Sequence, residues 1–156
     1  MKILLATDGS ECSDAAVAEV ARRPWPAGSV VKVLSAAELP YIPTTETWAL
    51  PESHYLELEK SEKVKAQAAV DKAAEQLRAG LGSAVEIITE IHEGQAEETI
   101  LDEADRWGAN LIVIGSHGYR GFRRFLLGSV SQSVAAHAKC SVEIVRTPDS
   151  CGKRHD

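Results

Sequence analysis

Apolar residues fall in two rhythms along this chain. Short unbroken runs alternate with longer stretches in which apolar positions recur every third or fourth residue. Lys2 to Ala6 is the first run, and it stops at the turn cluster Thr7, Asp8, Gly9 and Ser10. An unbroken run of this length reads as a strand buried on both faces. From Ser13 to Arg23 the spacing becomes helical, with Ala16, Val17, Val20 and Ala21 on one face and Ser10 or Ser13 as the cap. The segment from Pro24 to Gly28 ends that helix. Ser29 to Ser35 carries Val30, Val31, Val33 and Leu34 and predicts a second strand. Glu38 to Pro51, with Pro40 and Pro43, predicts a loop over one end of the sheet. Glu52 to Ala79 is charged and Ala-rich, with Leu56, Val64, Ala68, Val70, Ala74 and Leu77, and predicts a long helix stopped by Gly80 and Gly82.

The same alternation continues to the end. Val85 to Ile91 alternates apolar and polar and predicts a third strand. Ala96 to Trp107 predicts a helix with Ile100, Leu101 and Ala104 inward and Gly108 at its stop. Leu111 to Ile114 is a fourth strand, Ser129 to Ala138 a helix, and Val142 to Val145 a fifth strand before a polar tail from Thr147. Trp25 and Trp107 are placed to close helix ends against the core. Strand and helix in turn predict an α/β fold, with right-handed crossovers and a parallel sheet covered on both faces.

Composition narrows the function. The chain has 156 residues, 44% hydrophobic and 26% charged, enough for a core and for one domain. Its formal net charge of −6 argues against non-specific binding to nucleic acid, which needs a basic surface. No run of about 18 apolar residues offers a membrane span, and the opening residues are too soon acidic for a signal peptide. Cys12, Cys140 and Cys151 form no C-x-x-C pair, which fits a reducing cytoplasm better than a disulfide framework or a zinc site. They read as small apolar residues or tolerated thiols, with Cys12 a redox candidate by its position near the cleft.

The candidate chemistry lies where two strands end. The fourth strand runs into Gly115, Ser116, His117 and Gly118, and the loop closes on Gly128 and Ser129 at a helix start: G-x2-G-x9-G-S. Strand, glycine loop and helix start make a phosphate cradle, because backbone N–H groups and the helix dipole point at the anion. Ser129, Val130 and Ser131 supply N–H groups and hydroxyls, and Arg120, Arg123 and Arg124 form a basic cluster in an acidic chain. The first strand ends in Ala6, Thr7 and Asp8. A carboxylate repels phosphate, so Asp8 suits ribose hydroxyls or a base amino group, with capping of the first helix as the structural alternative. His117 reads as a general base or as an ordinary loop residue. In a doubly wound sheet both strand ends can face one cleft at the point where strand order reverses. A Walker motif, a G-x-G-x-x-G after the first strand, a Ser-His-Asp set and a metal-ligand constellation are all absent from the sequence.

These residues resemble the universal stress protein family over about residues 1 to 147, with 148 to 156 a flexible tail. Three pieces carry the likeness: Ile3 to Ser10, Ala109 to Gly118, and Phe125 to Ser131, the last two holding the spacing of the family's ATP-binding branch. The resemblance implies a five-stranded parallel sheet of order 3-2-1-4-5 and a homodimer formed by pairing the last strand with its copy. It also implies an adenine nucleotide in the cleft, ATP with a Mg2+ ion carried mainly by the phosphates. It puts Asp8 on the ribose, a backbone near Ser35 on adenine, and Gly115, Gly118, Gly128, Ser129, Val130 and Ser131 around the phosphates. It further implies a cytoplasmic stress-response or regulatory protein with little or no hydrolysis. A slow ATPase or adenylyl-transferring enzyme using Asp8 or His117, and a dimeric adaptor that binds AMP or cAMP, stay open. Ser141 stands where the family commonly has Pro, Gly121 is extra to the signature, and Glu143 in the last strand is expected to face solvent or a partner's charge.

Overall fold

A computed structural model describes residues 1–39, 52–118 and 127–147 of the chain. Most of the Glu38–Pro51 loop, the three loop arginines, Gly121, Cys151 and the tail lie outside the described residues. The elements run β1 (Lys2–Ala6), α1 (Glu11–Arg22), β2 (Val30–Ala37), α2 (Glu52–Leu81), β3 (Glu86–Glu93), α3 (Ala96–Trp107), β4 (Leu111–Gly115), α4 (Ser129–His137) and β5 (Ser141–Val145). All strand pairs are parallel, in the order β3-β2-β1-β4-β5, as the family resemblance implied.

Alternate side chains of each strand feed two cores. Ile3, Leu5, Val31, Val33 and Val113 pack with Val17 and Val20 of α1 and with Val70 and Leu77 of α2. Leu4, Ala6, Leu34, Ile112 and Ile114 pack on the other side, with Ile100 of α3 and Val134 of α4. Ile3, Leu4, Leu5 and Ile112 are inaccessible to solvent, which is why the central strands read as unbroken apolar runs. Trp25 and Trp107 pack against one core each, and the Trp25 indole donates to the Val20 carbonyl at 2.9 Å.

Several boundaries differ from the sequence reading by a residue or more, β3 (Glu86–Glu93) among them, and the contacts give the physical reason for two. Gly80 does not stop α2; it lies inside the helix, where a Cβ would come within 2.6 Å of the Ala21 carbonyl oxygen. Its missing side chain lets α1 and α2 touch, and the stop is Gly82, at φ +61°. Strand β2 runs two residues past Ser35, because β3 continues beside it and pairs Ala37 with Glu93. Glu143, expected to face solvent or a partner's charge, is partly exposed and binds Arg23 at the end of α1 through two hydrogen bonds of 2.6 Å. Arg23 also holds Glu19, so the edge strand is tied to α1 within the chain.

Strand order reverses between β1 and β4, since the chain leaves β1 toward β2 and returns on the opposite side. The register Leu5↔Val113 sets the ends of these two strands nearly level. That is the place at which an open α/β sheet takes a ligand.

Candidate functional site

One wall of the cleft is the turn from β1 into α1. Thr7 is buried; its N–H donates to the Leu34 carbonyl at 2.9 Å and its hydroxyl to Ser13 Oγ at 3.2 Å. Ser10 caps α1, its hydroxyl accepting from the Ser13 N–H at 3.3 Å. Asp8 is exposed, and its Oδ1 accepts from the Ser10 N–H at 3.0 Å. This bond fixes the carboxylate at the mouth of the cleft rather than using it as the cap, which settles the choice left open by the sequence in favour of Ser10.

The opposite wall is the loop after β4. Gly115 sits beneath the first turn of α1: a Cβ there would lie 2.6 Å from the Cys12 carbonyl carbon and oxygen. No other residue lets the two walls approach so closely. At Gly118 a Cβ would lie 2.6 Å from Asp8 Oδ2, so the loop passes directly against the carboxylate of the first wall. Gly128 donates to the Ser116 carbonyl at 2.8 Å and forms the N-cap of α4 with no side-chain cap. A Cβ on it would come within 3.3 Å of His117 Cα. The helix start is therefore folded back onto the strand end, and its first N–H groups, from Ser129 to Ser131, meet no capping side chain.

Ser129 is exposed and Val130 half-buried against the second core. Ser131 is buried, and its hydroxyl bonds the Ser116 carbonyl at 2.9 Å and the Gly128 carbonyl at 3.0 Å. Its hydroxyl thus closes the loop, and what it offers a ligand is its backbone N–H. His117 Nδ1 lies 3.2 Å from Ser116 Oγ, while Nε2 is buried and has no hydrogen-bond partner among the described residues. Arg120 lies outside them.

Ser35 is buried on β2 and pairs with Ile91 of β3. In a parallel ladder, alternate residues direct their N–H and C=O to the same side. The Leu34 carbonyl accepts from Thr7 toward β1, and the Ala37 carbonyl accepts from Gly94 toward β3. The residue beyond the end of β1 whose backbone faces the cleft side is consequently Ala36, the neighbour of Ser35. Ala6, buried as the last residue of β1, floors the same corner.

Sequence reasoning missed a second constellation, on the α3 side of the sheet. Lys32, in mid-β2, is buried, and its ammonium lies 2.7 Å from both Glu90 and Glu103. It also stands 4.9 Å from the centre of the Trp107 ring. The Glu103 side chain is 1% exposed and also bonds Arg106. Burial works against the charge on both groups. For Lys32 the hydrogen bonds to Glu103 and Glu90 outweigh it and its pKa lies above the ordinary value; for Glu103 those to Lys32 and Arg106 outweigh it and its carboxyl lies below the usual range. A lysine inside the run Val30 to Leu34, with a glutamate three residues after Ile100 on the inward face of α3, was the available signal. Glu90, His92 and Glu103 bring ligand atoms within 4.8 Å of one another, but the Lys32 ammonium already occupies both carboxylates. The adjoining groove of about 210 Å³ is lined by Glu93, Glu98, Asp102 and Glu103, with Arg106 and His92 beside them, and is acidic on balance.

The model of the universal stress protein family matches residues 1–146. A universal stress protein of Methanocaldococcus jannaschii is 33% identical over 94% of this chain and 82% of its own length. The solved structure of universal stress protein UspA from Lactobacillus plantarum is 26% identical, with a TM-score of 0.76, over 94% of this chain and 97% of that one. Two more distant proteins share the fold: one from Arabidopsis thaliana with AMP bound (16% identity, TM-score 0.68, 97% and 95% covered) and one in complex with cAMP (24%, 0.66, 93% and 96%). No helix among the described residues is long and apolar enough to cross a membrane.

Proposed function

Because this chain belongs to the universal stress protein family, we propose that the cleft between β1 and β4 binds an adenine nucleotide, ATP in the first instance. The protein would then be a cytoplasmic regulatory or stress-response protein with little or no hydrolysis. The observation that carries the reading is the meeting of two unlike walls: Asp8 Oδ2 sits against Gly118, and the uncapped start of α4 folds onto the same loop. A carboxylate accepts from ribose hydroxyls, and free N–H groups at a helix start take phosphate. The two cannot exchange roles.

A nucleotide fits the residues present. Asp8 takes the sugar, and the backbone of Ala36, the neighbour of Ser35 that faces the cleft side, takes the base. Gly118, Gly128 and the N–H groups of Ser129, Val130 and Ser131 take the phosphates. Gly115 acts by letting α1 reach the loop, and Thr7 and Ala6 hold the floor. His117 and Arg120 add to the phosphate end. Bound ATP would bring its own Mg2+, carried by the phosphate oxygens. Asp8 is committed to the Ser10 N–H at 3.0 Å, which favours holding a ligand over driving a reaction.

The distant relatives with AMP and with cAMP carry the fold alone at their level of identity, so the choice of nucleotide is tested directly. Mass spectrometry of ligand released by heat from the purified chain is expected to find ATP or ADP. Competition of a labelled ATP analogue with AMP, cAMP and GTP ranks the alternatives, and displacement by GTP as readily as by ATP would overturn the adenine reading. Multiple turnover lost in Asp8→Ala, with ATP still bound, would make the protein an enzyme instead.

A further inference from the structure

Among the described residues, His117 has a buried side-chain nitrogen that lacks a hydrogen-bond partner. Its Nδ1 is engaged by Ser116 Oγ at 3.2 Å, whereas Nε2 is shut off from solvent without a partner among the described residues. A buried polar atom with no partner costs free energy until something supplies one. The loop places this residue at the start of α4: Gly128, the N-cap, bonds the carbonyl of Ser116 and approaches His117 Cα. A phosphate held by that helix start would lie beside His117 and would offer an acceptor.

Resting on the nucleotide reading above, we infer that His117 makes phosphate binding in this cleft depend on pH: Nε2 donates to a phosphate oxygen, and the ring takes a proton from solvent as the anion arrives. Imidazole is the side chain whose ordinary titration falls in the physiological range, and a neighbouring anion favours its charged form. Among the described residues the charges nearby are few; Arg120, Arg123 and Arg124 follow in the sequence and lie outside them. From the β1–α1 wall come Asp8, Glu11 and the Cys12 thiol, and Arg146 follows β5, whose Val145 carbonyl accepts from the Ser116 N–H at 2.8 Å. The first turn of α4 carries no acid. An arriving phosphate is a new anion beside the ring and favours its charged form. Phosphate affinity therefore falls as pH rises.

The test is calorimetric titration of ATP into the full chain and into His117→Gln at about pH 6 and about pH 8, either side of the usual imidazole range. Glutamine keeps an N–H donor near the position of Nε2 but does not titrate. ATP's own phosphate ionisation is common to both proteins and cancels in the comparison. Wild type is expected to gain up to about tenfold in affinity at the lower pH relative to the variant, the effect of one pKa unit. Equal pH dependence in the two proteins would overturn the inference. Carbon-detected titration of the wild-type His117 ring adds a readout that a merely structural role would not move: saturating ATP should shift its midpoint upward, and an unmoved midpoint would sink the idea even if the variant loses binding. Absence of ATP binding by wild type at either pH would instead refute the nucleotide reading itself.

Discussion

The glycines of the G-x2-G-x9-G-S signature do different work. Gly115 is a packing residue, Gly118 lies against a carboxylate, and Gly128 starts a helix without a cap. A methyl group at Gly115 would strike the Cys12 backbone, which cannot step aside without moving α1. Gly115→Ala should therefore cost about 1–3 kcal/mol in stability, the usual range for overpacking, read as a lower urea midpoint. At Gly118 the methyl would meet only the end of the Asp8 side chain, which gives way more easily than backbone does. Gly118→Ala should keep the wild-type midpoint and lose nucleotide affinity. Equal loss of stability in both variants would contradict this division. Spacing alone showed that glycines were needed here, but not why, because a cradle for phosphate and a close approach of backbone leave the same residue type. The Ser131 hydroxyl was open to the same ambiguity: a serine at a helix start serves a ligand or the loop, and only the 2.9 Å bond to the Ser116 carbonyl decides.

Element boundaries were most legible where a strand is buried on both faces or a helix has one apolar stripe. α3 spans the residues its periodicity implies, and β1 ends where the turn cluster begins. What the pattern could not show was the contact between elements: Gly80 under Ala21, Arg23 on Glu143, and Lys32 on Glu103. The last pair joins β2 to α3 in a nearly dry setting. Glu103→Gln or Lys32→Met should each cost about 1–3 kcal/mol, because each leaves a buried charge with one partner fewer (Lys32 keeps Glu90, Glu103 keeps Arg106), while the double change Lys32→Met with Glu103→Leu should recover much of that loss. The pH dependence follows from the two shifts. Glu103, depressed in the fold, contributes stability above the ordinary carboxylate value of 4.5, and that contribution is lost as pH falls through its lower folded value. Lys32, raised in the fold, contributes below its ordinary 10.5, and that part is lost only as pH rises through its higher folded value. Urea midpoints across the acid range should fall less steeply in the double variant than in wild type; parallel curves would refute the assignment.

At the scale of the whole molecule, the strand order that makes the cleft also leaves β5 at an edge, paired only with β4 among the described residues. Val145 directs its carbonyl to Ser116 on the β4 side, so Val142 and Ile144 turn their N–H groups outward. Such an edge is open to pairing with a second copy, and Glu143, already satisfied by Arg23, does not oppose it. Light scattering after size exclusion should give a dimer for wild type and a monomer for Val142→Pro, which removes one outward donor and spares the β4 ladder. A dimer in both would place the interface elsewhere. The central claim, however, is the nucleotide in the β1–β4 cleft. Its most direct measurement is calorimetric titration of ATP into ligand-free full-length chain, beside Gly128→Val, whose side chain would press on the Ser116 carbonyl and His117 Cα. One ATP bound per chain in wild type and none in the variant is the predicted result; no binding heat in wild type, or undiminished binding in Gly128→Val, would contradict it.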